Sequence, residues 1–306
     1  MRLQRLFGLL VLLAALTGVA QAGAFSYVAV FGDSLSDNGN LYAATGYPPA
    51  PYYNGRMSNG PVAVENMASD LKSPLADYAW IGATTGIGNV VDGGTATSYG
   101  AYGLPGMLTS FAAVSPSLPG KSSALFVLWG GPNDLLSDLS DPALLPGAIA
   151  AAVANISDMA LLLEAMGAQH ILVPNMPDLG LTPRLLADGP AASAEATEVT
   201  DLFNALLATS LPPGVTIFNT AGFLRNVDSN PAAYGFTNVT DPCFNGVTVC
   251  ADPNQYLFWD DIHPTAAADV FLGAEFAAAV PEPSTSVLVL AGLCAFAAAV
   301  RRRRSA

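Results

Sequence analysis

Five short apolar runs punctuate the chain: FSYVAV (25–30), DYAWIGA (77–83), ALFVLWG (124–130), HILVPN (170–175) and VTIFN (215–219). Each is bounded by turn residues, the pattern of strands buried in a parallel sheet. Helical patterns lie between several of them. PVAVENMASDL (61–71) opens with Pro61, suited to a first helical position. Residues 141–168 are long and Ala/Leu-rich, with Gly167 near the end. Residues 191–210 carry Val199, Leu202, Phe203, Leu206 and Leu207 as a helical stripe. Strand–helix alternation predicts an α/β fold with a mainly parallel, five-stranded sheet. Residues 84–120 and 220–258 read as irregular, and long loops in a compact domain tend to be functional or disordered.

The two ends change the picture of a chain that is 52% hydrophobic. Arg2 and Arg5 precede an apolar core, Leu6 to Val19, and then AQA at 20–22. This is the layout of a secretory signal peptide, expected to span residues 1–22. At the other end, an apolar segment from Ser286 to Val300 is just long enough, with its flanks, to span a bilayer. Arg301–Arg304 then mark a cytoplasmic side. The triplet Pro281–Glu282–Pro283, the short apolar segment and the arginine run resemble the PEP-CTERM sorting signal of Gram-negative bacteria, placed at 281–306. That resemblance implies processing by an exosortase-type membrane peptidase. It also implies a protein exported to the outer cell surface or beyond, anchored transiently in the inner membrane.

The body between, residues 23–280, has the size of one large domain. Five basic residues face 23 acids there, a formal charge of −18. Such a body repels phosphate backbones and is not expected to bind nucleic acid. Cys243 and Cys250 flank an Asn-Gly turn signal and are expected to pair in an oxidising compartment, which stabilises the fold by roughly 2.5 kcal/mol on the chain-entropy model. The alternative, a two-cysteine metal site, lacks further soft ligands, so no metal or cofactor is expected.

In an open α/β sheet, ligands sit at the carboxyl ends of strands. Gly32-Asp33-Ser34-Leu35 follows the first run, Gly82-Ala83-Thr84-Thr85-Gly86 the second, and Gly130-Gly131-Pro132-Asn133-Asp134 the third. Near the end of the body stands Trp259-Asp260-Asp261-Ile262-His263-Pro264. A serine nucleophile needs a base within hydrogen-bond reach. The chain has two histidines, and His170 begins a strand, at the amino end of the sheet. His263 is left for that work. Asp260, three residues before it, can accept from its ring; Asp261 competes at a poorer spacing. Ester attack also needs preorganised donors for an oxyanion. Ser34, at the start of the helix expected to follow it, and Gly82 offer backbone N–H groups and Asn133 its amide, although Gly82 also has an ordinary reading as a strand-end turn and Asn133 as a helix or turn cap.

These blocks, as FGDSLSDNGN, YAWIGATT, WGGPND and DDIHPT, resemble in order the motifs of the GDSL esterase/lipase group of the SGNH hydrolase superfamily. They look most like its secreted lipase, lecithinase- and haemolysin-like branch, over residues 25–278. The resemblance implies a three-layer, flavodoxin-like SGNH fold and a serine ester hydrolase acting through an acyl-enzyme. It implies a triad of Ser34, Asp260 and His263, and an oxyanion hole of Ser34, Gly82 and Asn133. The substrate is then an ester, of a lipid or of an acylated polysaccharide. The second case would make the protein a polysaccharide O-deacetylase; a non-catalytic surface-binding protein is the further alternative. No G-x-S-x-G elbow and no Walker or dinucleotide glycine motif is present. GRMSNGP (55–61) reads equally as pocket wall or surface turn, and Asp33, Asp37 and Asn38 as loop chemistry.

Overall fold

The computed structural model describes residues 25–139 and 141–281. The expected signal peptide, 1–22, and the expected sorting tail beyond Pro281 lie outside the described residues. Residues Ser26–Val280 form one compact unit.

β1 (Val28–Gly32), β2 (Leu75–Asp77), β3 (Leu125–Trp129), β4 (His170–Pro174) and β5 (Thr216–Phe218) make a fully parallel sheet in the order β2-β1-β3-β4-β5. Every residue of β1 and β3 is buried, which is why both read as unbroken apolar runs. Their register runs from Val28 opposite Leu125 to Gly32 opposite Trp129. Gly32 is required there: a Cβ would lie 2.7 Å from the Trp129 carbonyl oxygen.

Helices cover both faces. α1 (Asn40–Thr45) and α2 (Ala63–Asp70) follow β1, and α3 (Met107–Val114) follows β2. α4 (Pro132–Leu135) and α5 (Leu145–Ala165) follow β3; α6 (Pro183–Ala187) and α7 (Pro190–Ser210) follow β4. α8 (Thr220–Ser229) follows β5, and α9 (Ala266–Ala279) closes the body. Ala29, Phe31, Phe126, Leu128, Ile171 and Val173 face α3, α5 and α7 in one core cluster. On the opposite face Phe276 of α9 meets the rings of Trp129 and Phe218 edge-on, at 5.1 and 4.9 Å. This is a three-layer α/β/α sandwich in flavodoxin-like order. α5 is apolar and long enough to cross a membrane. Its stripe Ile149, Val153, Ile156, Ala160 and Leu163 is buried against the sheet, which accounts for its composition as a core helix.

Several expectations are corrected. Of the second run, 77–83, only Asp77 lies in a strand, the short β2 that starts two residues before it; residues 78–83 continue as a loop. Tyr78 and Trp80 still donate to the Val30 and Gly32 carbonyls of β1, but Asp77 accepts the N–H of Ala79 on Oδ1, Asn40 Nδ2 donates to the Asp77 and Ala79 carbonyls, and Asp37 takes the Ile81 N–H, so side chains satisfy the other backbone groups. The helix beginning at Ser34 does not form. Residues 33–37 make one tight turn on the Asp33 carbonyl, and Gly39, at φ 127°, interrupts the backbone before α1. Pro61 precedes the N-cap Val62 of α2 rather than starting the helix; Glu65 reaches back 3.0 Å to the Val62 N–H. The irregular segments contain α3, α8 and a small parallel sheet of β6 (Asn238–Pro242) and β7 (Tyr256–Phe258).

Candidate active site

The sheet order reverses between β1 and β3, and an open parallel sheet gapes at such a switch point. The turn after β1 carries Ser34, and the turn after β3 carries Asn133. His263 arrives from a tight loop after β7, closed by a Trp259 N–H to His263 carbonyl bond of 2.7 Å. His170 opens β4, at the amino end of the parallel strands and away from these turns.

His263 Nε2 lies 2.7 Å from Ser34 Oγ, and its Nδ1 lies 2.9 Å from each carboxylate oxygen of Asp260. Asp260 is 6% exposed, and donors surround it. Oδ1 accepts the backbone N–H groups of Ile262 (3.0 Å) and His263 (2.7 Å). Oδ2 accepts the Tyr52 hydroxyl at 2.8 Å. Burial alone would raise the Asp260 carboxyl, but the charge and hydrogen bond of His263 and the two backbone donors hold it at about 2. Burial lowers the His263 imidazole. The Asp260 charge and hydrogen bond, with the charges of Asp33 and Asp261, reverse this and leave it raised. With Nδ1–H donated to Asp260, Nε2 is an acceptor for the Ser34 hydroxyl.

Asp261 is not brought to the histidine. Its carboxylate takes both the Nε (2.8 Å) and an Nη (3.3 Å) of Arg184, and its carbonyl accepts the Arg184 N–H.

The Ser34 and Gly82 N–H groups make no hydrogen bond among the described residues. Gly82 adopts φ 79°, and a Cβ there would meet Asn89 Oδ1 and Val91 Cγ2 at 2.5 Å. Asn133 Nδ2 gives one hydrogen to the Ala83 carbonyl at 3.0 Å, which orients the amide and leaves its second hydrogen. All three residues, with His263, line one cavity of about 270 Å³.

Two buried carboxyls brace these turns. Asp134 receives the hydroxyl (2.7 Å) and N–H (2.9 Å) of Thr85, tying the β3 turn to the Gly82 loop. Burial and the nearby charge of Asp33 push its carboxyl up to about 7. Asp33 accepts the Leu35 N–H on Oδ1, Oδ2 is buried without a protein partner, and burial raises it to about 6.

Three groups position the site, of which the sequence alone marks Asp37 only as loop chemistry, leaves GRMSNGP open between pocket wall and surface turn, and gives no signal for Tyr52. Asp37 accepts four backbone N–H groups, from Gly39, Asn40, Leu41 and Ile81, and so binds the Ser34 loop to the residue before Gly82. In GRMSNGP, Met57 lines the cavity, while Ser58 donates to the Pro264 carbonyl (2.9 Å) and Asn59 accepts the Ala266 N–H (2.7 Å). That segment grips the residues following His263. Tyr52 is held for Asp260 by edge-on packing against Phe244 and Trp259. Cys243, beside Phe244, is joined to Cys250 by a disulfide.

Tyr52→Phe is expected to lower kcat/KM about tenfold, the worth of one hydrogen bond to a charged group. The acid limb of its pH profile should stay in place, since Asp260 remains ionised beside His263. Steady-state kinetics across pH 5–9 check both; an unchanged kcat/KM would remove Tyr52 from the machinery.

The model of the GDSL-like lipase/acylhydrolase family matches residues 28–276, and a PEP-CTERM protein-sorting motif matches residues 279–304. A phosphatidylcholine-sterol acyltransferase of Aeromonas hydrophila is 31% identical over 246 residues, covering 73% of this chain and 67% of that one. A thermolabile hemolysin of Vibrio parahaemolyticus is 24% identical, covering 78% of this chain and 60% of that one. The solved phospholipase A1 of Streptomyces albidoflavus superposes with TM-score 0.47 at 16% identity, covering 84% of this chain and 98% of that one.

Proposed function

Because the chain belongs to the GDSL-like lipase/acylhydrolase family and is a carboxylic ester hydrolase, we propose that it works through Ser34, His263 and Asp260 by way of an acyl-enzyme. The observation that carries this reading is the unbroken relay from Ser34 Oγ through both ring nitrogens of His263 to Asp260. Ser34 Oγ attacks the acyl carbonyl while His263 Nε2 takes its proton. The carbonyl oxygen becomes an oxyanion among the Ser34 N–H, the Gly82 N–H and Asn133 Nδ2. Asp260 steadies the imidazolium and fixes its tautomer. The proton returns to the alcohol oxygen, the alcohol departs, and water repeats the sequence to release the acid.

The sorting motif makes this an exported enzyme with a membrane-associated tail. We infer that an exosortase-type peptidase processes the tail near Pro281–Pro283, and that the body acts at the outer surface of a Gram-negative cell or beyond it.

One experiment tests the site and its location together. The protein is labelled with a fluorophosphonate on whole cells and in the medium, and the labelled chain is mapped by mass. The expected adduct is on Ser34, in a chain starting after Ala22 and ending near the Pro-Glu-Pro triplet. Label on another serine overturns the site; an intact, cytoplasmic chain overturns the location.

A further inference from the structure

What flanks the ester is written in the cavity wall. Leu224 of α8, Leu257 and Phe258 of β7, and Leu272 of α9 line it and are each at most 8% exposed. Tyr47, Val90 and Val91 line it too, yet are 44%, 41% and 47% exposed. The cavity therefore has a closed apolar end and an open apolar rim.

The rim is rigidly presented. Val90 N–H donates to the Gly82 carbonyl at 2.8 Å, and Val91 N–H to Asn89 Oδ1 at 2.9 Å. The next residue, Asp92, takes the N–H groups of Gly94, Tyr102 and Leu104 on its carboxylate. Two valines held into solvent beside an oxyanion donor are surface that a partner or ligand is expected to cover.

Polar side chains beyond the reacting groups are few. The Thr182 hydroxyl donates to the Leu179 carbonyl at 2.6 Å and Arg184 is paired with Asp261; the Thr220 hydroxyl and Asp33 Oδ2 have no partner among the described residues but are sealed from solvent, which leaves the Tyr47 hydroxyl at the rim. A sugar ring at this wall would lose water from several hydroxyls and find too few exposed side-chain partners to replace it, an unfavourable exchange.

We propose that the site takes esters that are apolar on both sides of the scissile bond, with the acyl chain in the closed Leu224–Leu257–Leu272 end and an apolar alcohol against the Tyr47–Val90–Val91 rim. The order of events assigns the ends. The alcohol leaves while the acyl group is still bonded to Ser34, so the alcohol belongs on the open side. This rests on the reading of Ser34 as nucleophile.

The full chain is tested with acetyl and octanoyl esters of one phenol, with ethyl and hexyl esters of one acid, and with an acetylated polysaccharide. Octanoyl over acetyl, and hexyl over ethyl, are each expected to gain about tenfold in kcat/KM from added burial. Leu272→Trp, or the smaller Ala268→Leu in the same wall, should erase most of the acyl preference and leave the alcohol preference. Val91→Asp should do the reverse. Preference for acetyl esters, with acetate released from the polysaccharide, overturns the proposal while the hydrolase reading stands. Octanoate binding to Ser34→Ala by calorimetry separates the opposite case. If no ester turns over but octanoate binds, and Leu272→Trp abolishes that binding, the hydrolase reading falls and the closed end keeps its assignment. If octanoate does not bind and the acyl ratio ignores both wall substitutions, the proposal is overturned.

Discussion

Ser34→Ala is expected to lower kcat by about 10⁴–10⁶-fold, the range for removing a nucleophile from a serine triad. The fold has little stake in this hydroxyl. Its one side-chain hydrogen bond is to His263, and the turn that carries it is built on Asp33. The Ser34 N–H survives the substitution, so the proposed oxyanion donors and the cavity stay in place. KM and the thermal midpoint are therefore expected to remain close to those of the parent. The variant should retain slow hydrolysis above the uncatalysed rate, from positioning and the remaining donors. Steady-state kinetics on a soluble ester and a thermal melt on the same preparation read both halves. A variant keeping a hundredth or more of the parent kcat sinks the assignment.

Much of this arrangement is readable along the chain, and the parts that are not share a cause. β1 and β3 are buried on both faces, so each residue had to be apolar or small, and the runs announce themselves. The turns that follow them carry Ser34 and Asn133 because strand ends are where side chains can converge. His263 follows by elimination in a chain with two histidines. The loop at 78–83 is different. Its composition suits a strand, and what decides its path is Asp37 and Asn40, some forty residues upstream. The choice between Asp260 and Asp261 likewise depends on Arg184, 77 residues away from Asp261, which claims the wrong neighbour and leaves Asp260 for the ring. Tyr52 reaches Asp260 across 208 residues, through rings brought together only in the folded chain. Local pattern marks the reacting groups; long-range packing supplies what holds them.

Asp260→Asn is expected to cost about 10⁴-fold in kcat, and the surroundings of Asp260 say why an isosteric amide fails. Oδ1 accepts two backbone N–H groups, from Ile262 and His263. An asparagine must keep its carbonyl oxygen there, which leaves Nδ1 only an oxygen already taking two N–H groups and puts the NH₂ where Oδ2 stood, 2.9 Å from His263 Nδ1. Two donors cannot face each other across that distance. The imidazole moves its proton to Nε2, and a protonated Nε2 cannot accept from Ser34. The Tyr52 hydroxyl can turn to accept from the new NH₂, which locks the wrong arrangement further. The pH profile adds a signed test. The free enzyme needs neutral His263, so kcat/KM falls as pH drops through its pKa. In the parent that pKa is raised, chiefly because Asp260 overcomes burial. Without the charge, burial prevails, and the acid limb should move to lower pH even as the plateau falls. Stability carries the complementary sign. Asp260, held at about 2 against 3.8 for a free carboxyl, stabilises the fold above pH 4 and loses that contribution as pH falls through 2. The parent's advantage over the variant in acid unfolding should shrink across that window. An acid limb that moves upward, or a variant with parental kcat, would exclude Asp260 as the partner of His263.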